Sequence, residues 1–127
     1  MRRGCVAFAD MYFFMDQVAR AAAGTGVRVN LARGCMTIPE VDSVNDLYAA
    51  CHGMGNGRVR VSMGVHGEYT SNPEVVARAV ETGRKLGTAF HVHMSETASE
   101  VARNALPRDW NSMLEKTITA PSGMVRH

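Results

Sequence analysis

The sequence predicts an α/β fold with a parallel sheet, because short apolar runs alternate along the chain with longer stretches of helical periodicity. The predicted strands end near residues 9, 33, 66 and 93, so each strand and its following helix span about 25 to 35 residues. Such units suit a doubly wound sheet or a (β/α)8 barrel. A complete barrel needs roughly 250 residues and this chain has 127, so the choice is a small doubly wound domain or part of a barrel.

Two units occupy the first half of the chain. Residues 4–9 are short and apolar and predict a strand, and residues 11–23 change to helical spacing. Residues 27–33 place valine and leucine on one face and predict the second strand. Pro39 favours the start of the second helix, which ends before a glycine-rich turn at 52–57.

The second half continues the alternation. Residues 58–66 alternate strictly and predict the third strand. Asn72 is a good amino-terminal cap for the next helix, and Gly87 is a good stop. Residues 88–94 predict the fourth strand, and residues 116–120 are a candidate fifth.

Composition excludes several classes of protein. The net charge is +2 and no basic run occurs, so we expect no nucleic-acid partner. No apolar run approaches the roughly 20 residues that span a bilayer, so we expect no membrane segment. The cysteines lie far apart at Cys5, Cys35 and Cys51, which argues against a disulfide framework and favours a reducing cytoplasm.

Two histidines and a glutamate lie at the end of the fourth predicted strand. Side chains alternate between the faces of a strand, so His91 and His93 project to the same side, and Glu96 follows in the loop. A neutral imidazole can bind a divalent metal ion, and a nearby carboxylate can move a proton from metal-bound water. Two histidines on one strand are equally consistent with hydrogen-bonded core residues, and both interpretations stay open at this point.

The third and second predicted strands also end in candidate site residues. His66 follows the small residues Ser62 and Gly64 on one face, which leaves room for a pocket. Arg33 could hold an anionic or carbonyl-bearing substrate. A structural histidine, and an arginine paired with a structural carboxylate, are the alternatives. Because parallel strands gather their carboxyl ends at one edge, we expect His66 and His93 to converge there.

Several short motifs occur together in a recognisable order. They are Phe8-Ala-Asp-Met-Tyr-Phe13, Leu31-Ala-Arg-Gly34, Gly64-Val-His-Gly-Glu-Tyr-Thr70 and His91-Val-His-Met-Ser-Glu-Thr97. Together they resemble the metal-dependent amidohydrolase superfamily, over roughly residues 4 to 103. The branch they resemble most is the cytosine-deaminase-like group, which includes methylthioadenosine/S-adenosylhomocysteine deaminases and chlorotriazine hydrolases.

This resemblance implies a partial (β/α)8 barrel of four to five parallel units, forming one domain over residues 1–127 with an unassigned tail from about residue 104. It implies hydrolysis of non-peptide C–N bonds, as in the deamination of a small heterocyclic substrate, with one Zn²⁺ or Fe²⁺ in the intact enzyme. By position, His93 resembles a metal ligand and Glu96 the acid/base. His66 and Arg33 resemble substrate-binding residues, while His91 is expected to line the barrel interior.

The sequence also departs from the family pattern. No early His-x-His precedes Gly4, Pro121 stands where a metal-binding histidine is expected, and a later metal-binding aspartate is missing. We therefore expect an internal fragment that keeps one metal ligand and is inactive alone, and whether the chain itself is an enzyme stays open. The alternative is a non-catalytic half-barrel remnant or interaction module without the metal. Exposed barrel edges also predict self-association.

Overall fold

The computed structural model describes residues 4–67 and 69–104, apart from the side chains of residues 103 and 104. The strands are β1 (Ala7–Tyr12), β2 (Arg28–Arg33), β3 (Val59–Gly67) and β4 (Phe90–His93). The helices are α1 (Met15–Thr25), α2 (Ile38–Cys51), the short α3 (Met54–Gly57), α4 (Pro73–Leu86) and α5 (Ala98–Asn104). The chain divides into two compact units after Met94, so α5 is described by itself.

All neighbouring strands of the four-stranded sheet are parallel, and their spatial order is β1-β2-β3-β4. A doubly wound sheet reverses its strand order at a switch point, whereas a barrel adds each strand beside the preceding one. The described sheet has no such reversal, which confirms the prediction of a partial TIM-type barrel. The candidate fifth strand at 116–120 lies outside the described residues, and the assignment of one domain stays a prediction.

The hydrophobic core lies between one face of the sheet and the helices that cover it. Strand positions on that face are apolar and buried, while the opposite face carries small and polar residues. The buried sheet residues are Val29, Leu31, Val59, Val61, Met63 and Val65, and they pack with Met15, Ala19, Val41, Val44, Leu47, Val75, Val76 and Ala79 from the helices. In the described part of the chain, no helix has the length and apolar character needed to cross a bilayer.

The first strand and helix lie later in the chain than the sequence predicts. Residues 4–9 are the apolar run, but β1 spans Ala7–Tyr12 because its backbone pairs with β2 from Ala7↔Arg28 to Tyr12↔Arg33. The strand therefore includes Asp10, and α1 begins after Phe14. Pairing with a distant strand, rather than local hydrophobicity, sets these bounds.

The later helices begin and end at residues with clear local chemistry. The Glu40 carboxylate accepts hydrogen bonds from the backbone N–H groups of Met36 and Thr37 at 2.8 and 2.9 Å, which fixes the start of α2. These bonds also hold the pKa of Glu40 below its usual value. Asn72 accepts from the N–H of Val75 at 2.9 Å, and Gly87 ends α4 with φ 64°. The predicted start and stop of α4 are thus confirmed.

We predict that Gly64→Ala lowers the free energy of unfolding by about 1–3 kcal/mol. A Cβ at this position would collide with the carbonyl oxygen of Arg33 on the neighbouring strand. Gly24→Ala is the matched control, because a Cβ there meets nothing within 4 Å and alanine favours the helix. Urea unfolding of the two variants measures the difference, and equal midpoints would contradict the assigned contact.

Candidate active site

Three histidine rings lie together at the carboxyl ends of β3 and β4. The ring centroids of His66 and His93 are 5.8 Å apart and the rings are nearly perpendicular, at 89°. The ring centroids of His91 and His93 are 6.2 Å apart. The predicted convergence of His66 and His93 is therefore confirmed, and the strand ends bring imidazoles from two separate motifs to one place.

An irregularity in β3 places His66 in this cluster. Pairing with β4 runs in step as far as Val65↔Val92 and then shifts, so that Gly67 rather than His66 pairs with His93. His66 is thus the extra residue of a β-bulge, a feature that re-aims side chains beside functional sites. The alternation of residues 58–66 gave no indication of this shift.

The ring of His66 is held by its neighbours in the following loop. Its Nδ1 lies 2.8 Å from the Thr70 hydroxyl oxygen, and that hydroxyl is 3.3 Å from the carbonyl oxygen of Gly67. The Tyr69 ring contacts the imidazole edge-on at 5.9 Å between centroids. Because Nδ1 is occupied, Nε2 is the ring atom left for a ligand. Sequence reasoning missed Thr70, although a hydroxyl four residues after a histidine at a strand end was a usable clue.

His91 lies on the same face of β4 as His93 and is partly buried. Burial lowers the pKa of the His91 imidazole, the positive charge of His93 adds to this, and Asp10 opposes it. The lowered pKa favours the neutral form of the ring, which can accept a hydrogen bond. His91 is therefore suited to a polar lining of the sheet face, in agreement with its predicted position.

Arg33 lies at the end of β2, on the side of the sheet that α2 covers. Its Nη1 donates a hydrogen bond to the Ser43 hydroxyl at 2.6 Å, and Ser43 donates to the carbonyl oxygen of Glu40 at 2.6 Å. Arg33 shares its strand face with the buried Leu31, not with the face that carries the histidines. The contact found is thus with a helix hydroxyl, and the substrate-binding role of Arg33 stays a prediction.

Glu96 belongs to the second compact unit, which begins at Ser95, and only its surroundings within that unit are described. It is exposed and lies between Ser95, whose φ is +54°, and Thr97. Thr97 caps the start of α5: its hydroxyl accepts from the N–H of Glu100 at 3.2 Å, and its own N–H donates to the Glu100 carboxylate at 2.8 Å. A non-glycine residue with positive φ marks a sharp turn before Glu96. The acid/base role of Glu96 stays a prediction.

The side chains that could ligate a metal ion show whether the described residues alone can hold one. Within the described ranges, no three His, Cys, Asp or Glu side chains lie close enough together to hold one. A catalytic zinc site normally takes about three protein ligands and a water. The described residues therefore do not form a complete metal site, and His93 stands as one predicted ligand without its partners.

Comparison with known proteins decides the family. The model of the amidohydrolase family matches residues 1–116. The chain belongs to the amidohydrolase family. This family is typically metal-dependent. The match confirms the resemblance that the ordered motifs gave.

Curated relatives agree with this assignment. A 5-methylthioadenosine/S-adenosylhomocysteine deaminase of Moorella thermoacetica is 36% identical over 106 residues, covering 80% of this chain and 25% of the relative. The enzyme of that name from Caldanaerobacter subterraneus is 38% identical over 107 residues, 77% of this chain and 24% of the relative. A 5'-deoxyadenosine deaminase of Methanothermobacter thermautotrophicus is 33% identical over 109 residues, 80% of this chain and 26% of the relative. The chain thus spans about a quarter of the length of the curated relatives it matches.

We predict that Cys35, whose loop lies beside the histidines, does not react as a nucleophile. Its side chain is fully buried, and burial raises the pKa of the thiol to about 12. At pH 8 roughly one Cys35 thiol in ten thousand is ionised. Iodoacetamide should modify the exposed Cys5 in the folded protein and leave Cys35 unmodified until urea unfolds the chain. Mass spectrometry of the modified peptides gives the result, and equal labelling rates at the two positions would refute it.

Proposed function

We propose that the protein performs the hydrolytic deamination of a nitrogen heterocycle, with an adenine nucleoside as the leading substrate class. The observation that carries this proposal is the close approach of the His66 and His93 rings at adjoining strand ends, with centroids 5.8 Å apart. Parallel α/β folds gather catalytic groups at that edge. Three relatives support the substrate class, because they are named as deaminases of 5-methylthioadenosine, S-adenosylhomocysteine or 5'-deoxyadenosine.

In the proposed reaction, water adds to the ring carbon that carries the amino group. The carbon–nitrogen bond then breaks, the amino group leaves as ammonia, and the ring carbon keeps the oxygen as a carbonyl. Glu96 is the proposed acid/base, which takes a proton from the attacking water and delivers it to the departing nitrogen. Its position in the sequence, three residues after His93, supports this role.

His66 is proposed to contact the substrate through Nε2, since Thr70 engages its Nδ1. A ring fixed on one side presents the other in a constant direction, which lowers the entropy lost when the substrate binds. Arg33 is the second proposed substrate contact. That role requires the guanidinium to release Ser43 and to turn away from the helix-covered side of the sheet.

The proposal includes one divalent metal ion, Zn²⁺ or Fe²⁺, in the intact enzyme, with His93 as a ligand. Imidazole is a suitable donor for either ion. Because the described residues do not complete the ligand set, the other ligands are proposed to lie outside them. We also propose a cytoplasmic location, and the free thiols of the chain are consistent with it. The expectation of no nucleic-acid partner stays a prediction.

A second candidate function is a non-catalytic half-barrel or interaction module. The observation that favours it is the missing cluster of three ligands in the described ranges. This candidate predicts neither bound metal nor turnover, so the same measurements decide between the two.

We predict that the protein, purified at its natural length, releases ammonia from 5'-deoxyadenosine or 5'-methylthioadenosine. Glu96→Gln should lower kcat by about 10²- to 10⁴-fold with its metal content unchanged, because the variant cannot transfer the proton. His93→Ala should lose both bound metal and activity. Ammonia release and metal analysis on the same preparations give both readouts.

Glu81→Gln is the matched control, because it makes the same chemical change on α4, where the carboxylate pairs with Arg78. It should keep activity and metal content. Absence of metal and of turnover in the unaltered protein would contradict the deaminase and support the half-barrel module.

Self-association is part of the proposal for the 127-residue chain. Large apolar side chains are exposed on β1 and on the residues that flank it: Val6, Phe8, Tyr12, Phe13 and Phe14. We predict concentration-dependent dimers or larger species in sedimentation velocity, and less association in the Phe13→Lys/Phe14→Lys variant. Ile38→Lys, at an exposed apolar residue elsewhere, should associate like the unaltered chain. A stable monomer at all concentrations would oppose this prediction.

A further inference from the structure

A basic cleft lies at the amino ends of the strands, at the other end of the sheet from the histidines. Its volume is about 240 Å³, and its polar lining residues are Arg28, Asn30, Arg58 and Arg60. In TIM-type folds, chemistry gathers at the carboxyl ends of the strands, so this cleft is separate from the proposed active site.

Strand register explains why these side chains meet. Asn30 of β2 pairs with Arg60 of β3, and Arg28 lies two residues before Asn30 on the same face. Arg58 follows α3, where Gly55 and Asn56 adopt left-handed φ values of 62° and 58°. This turn precedes β3, and Arg58 is one of the residues that line the same cleft.

The arginines of the cleft carry positive charges that no carboxylate of the described chain neutralises by an ion pair. None of its arginines forms an ion pair with a described carboxylate within 4.0 Å. The Nε atom of Arg58 is buried and has no acceptor among the described residues. Asn30 accepts a hydrogen bond from Ser62 at 2.7 Å through Oδ1, which leaves its amide N–H groups as donors.

The charge of Arg60 also acts on a group beyond the cleft. The pKa of His52, on the adjacent turn, is lowered chiefly by burial and further by the charge of Arg60. Like charges that share a concave surface repel one another, and an anion bound among them relieves that repulsion. Guanidinium groups are suited to phosphate, because each can donate two parallel hydrogen bonds to its oxygens.

We propose that this cleft binds the phosphate group of a small organic phosphate monoester. The three guanidinium groups and the Asn30 amide would hold the phosphate oxygens. The cleft has room for roughly eight water molecules, more than a phosphate group needs. Ala7 and the exposed Phe8 of β1 also line the cleft and supply an apolar surface for the organic part. The site does not depend on the proposed deaminase reaction.

Calorimetric titration of the full chain with phenyl phosphate, and separately with inorganic phosphate, tests this site. We expect saturable binding of both, with phenyl phosphate at least threefold tighter because its ring can contact the apolar surface. Arg28→Gln and Arg60→Gln should each weaken phenyl phosphate binding by about tenfold, since each removes a charge-assisted hydrogen bond. Both arginines are exposed, so the substitutions leave the core unchanged, which circular dichroism verifies.

Arg20→Gln is the control, because it removes the same charge from the exposed surface of α1. It should change the dissociation constant by less than twofold. Lack of saturable binding would overturn the site, as would equal weakening by Arg20→Gln or unchanged binding in the Arg28→Gln/Arg60→Gln double variant. Equal affinity for the two ligands would overturn the assignment to an organic monoester.

Discussion

The site depends on the close approach of β3 to β2 at Gly64. No side chain fits there, because an added Cβ would occupy the position of the Arg33 carbonyl oxygen. This approach keeps Ala32 paired with Ser62 and lets Cys35 bridge to Val65 beyond the end of β2. β3 is thereby held in a position along the sheet that places His66 at the carboxyl edge. There the backbone N–H of His66 donates to the carbonyl oxygen of Cys35 at 3.0 Å. Glycine at this position is therefore a requirement of the site as well as of the fold.

The parts of the structure that local chemistry determines could be predicted from the sequence. The bounds of α4 follow from Asn72 and Gly87, and the convergence of His66 and His93 follows from alternation and parallel strand order. The bounds of β1 and the bulge at His66 depend on which distant residues pair, and local periodicity does not carry that information. The same holds for Arg33, whose hydrogen bond to Ser43 is set by the packing of α2 on the sheet.

The polar face of the sheet carries two different chemistries at its two ends. Arg28 and Arg60 lie at the amino end, whereas His66 and His93 lie at the carboxyl end. Between them, Ser62 and Asn30 form a short hydrogen bond of 2.7 Å. Fixed cations at one end and imidazoles at the other make this face polar along its length. Such a face is unsuited to close packing against apolar side chains, which supports an interior that admits polar ligands.

The same alternation explains why the described sheet supplies so few metal donors. Near the carboxyl ends of β1 and β2, this face carries Met11 and Ala32, which offer no strong ligand for a zinc or iron ion. Of the described strands, only β3 and β4 place imidazoles on this face, so these four strands do not bring three metal donors close together. The closeness of His66 and His93 and the lack of a third metal donor among the described residues therefore follow from the same strand register.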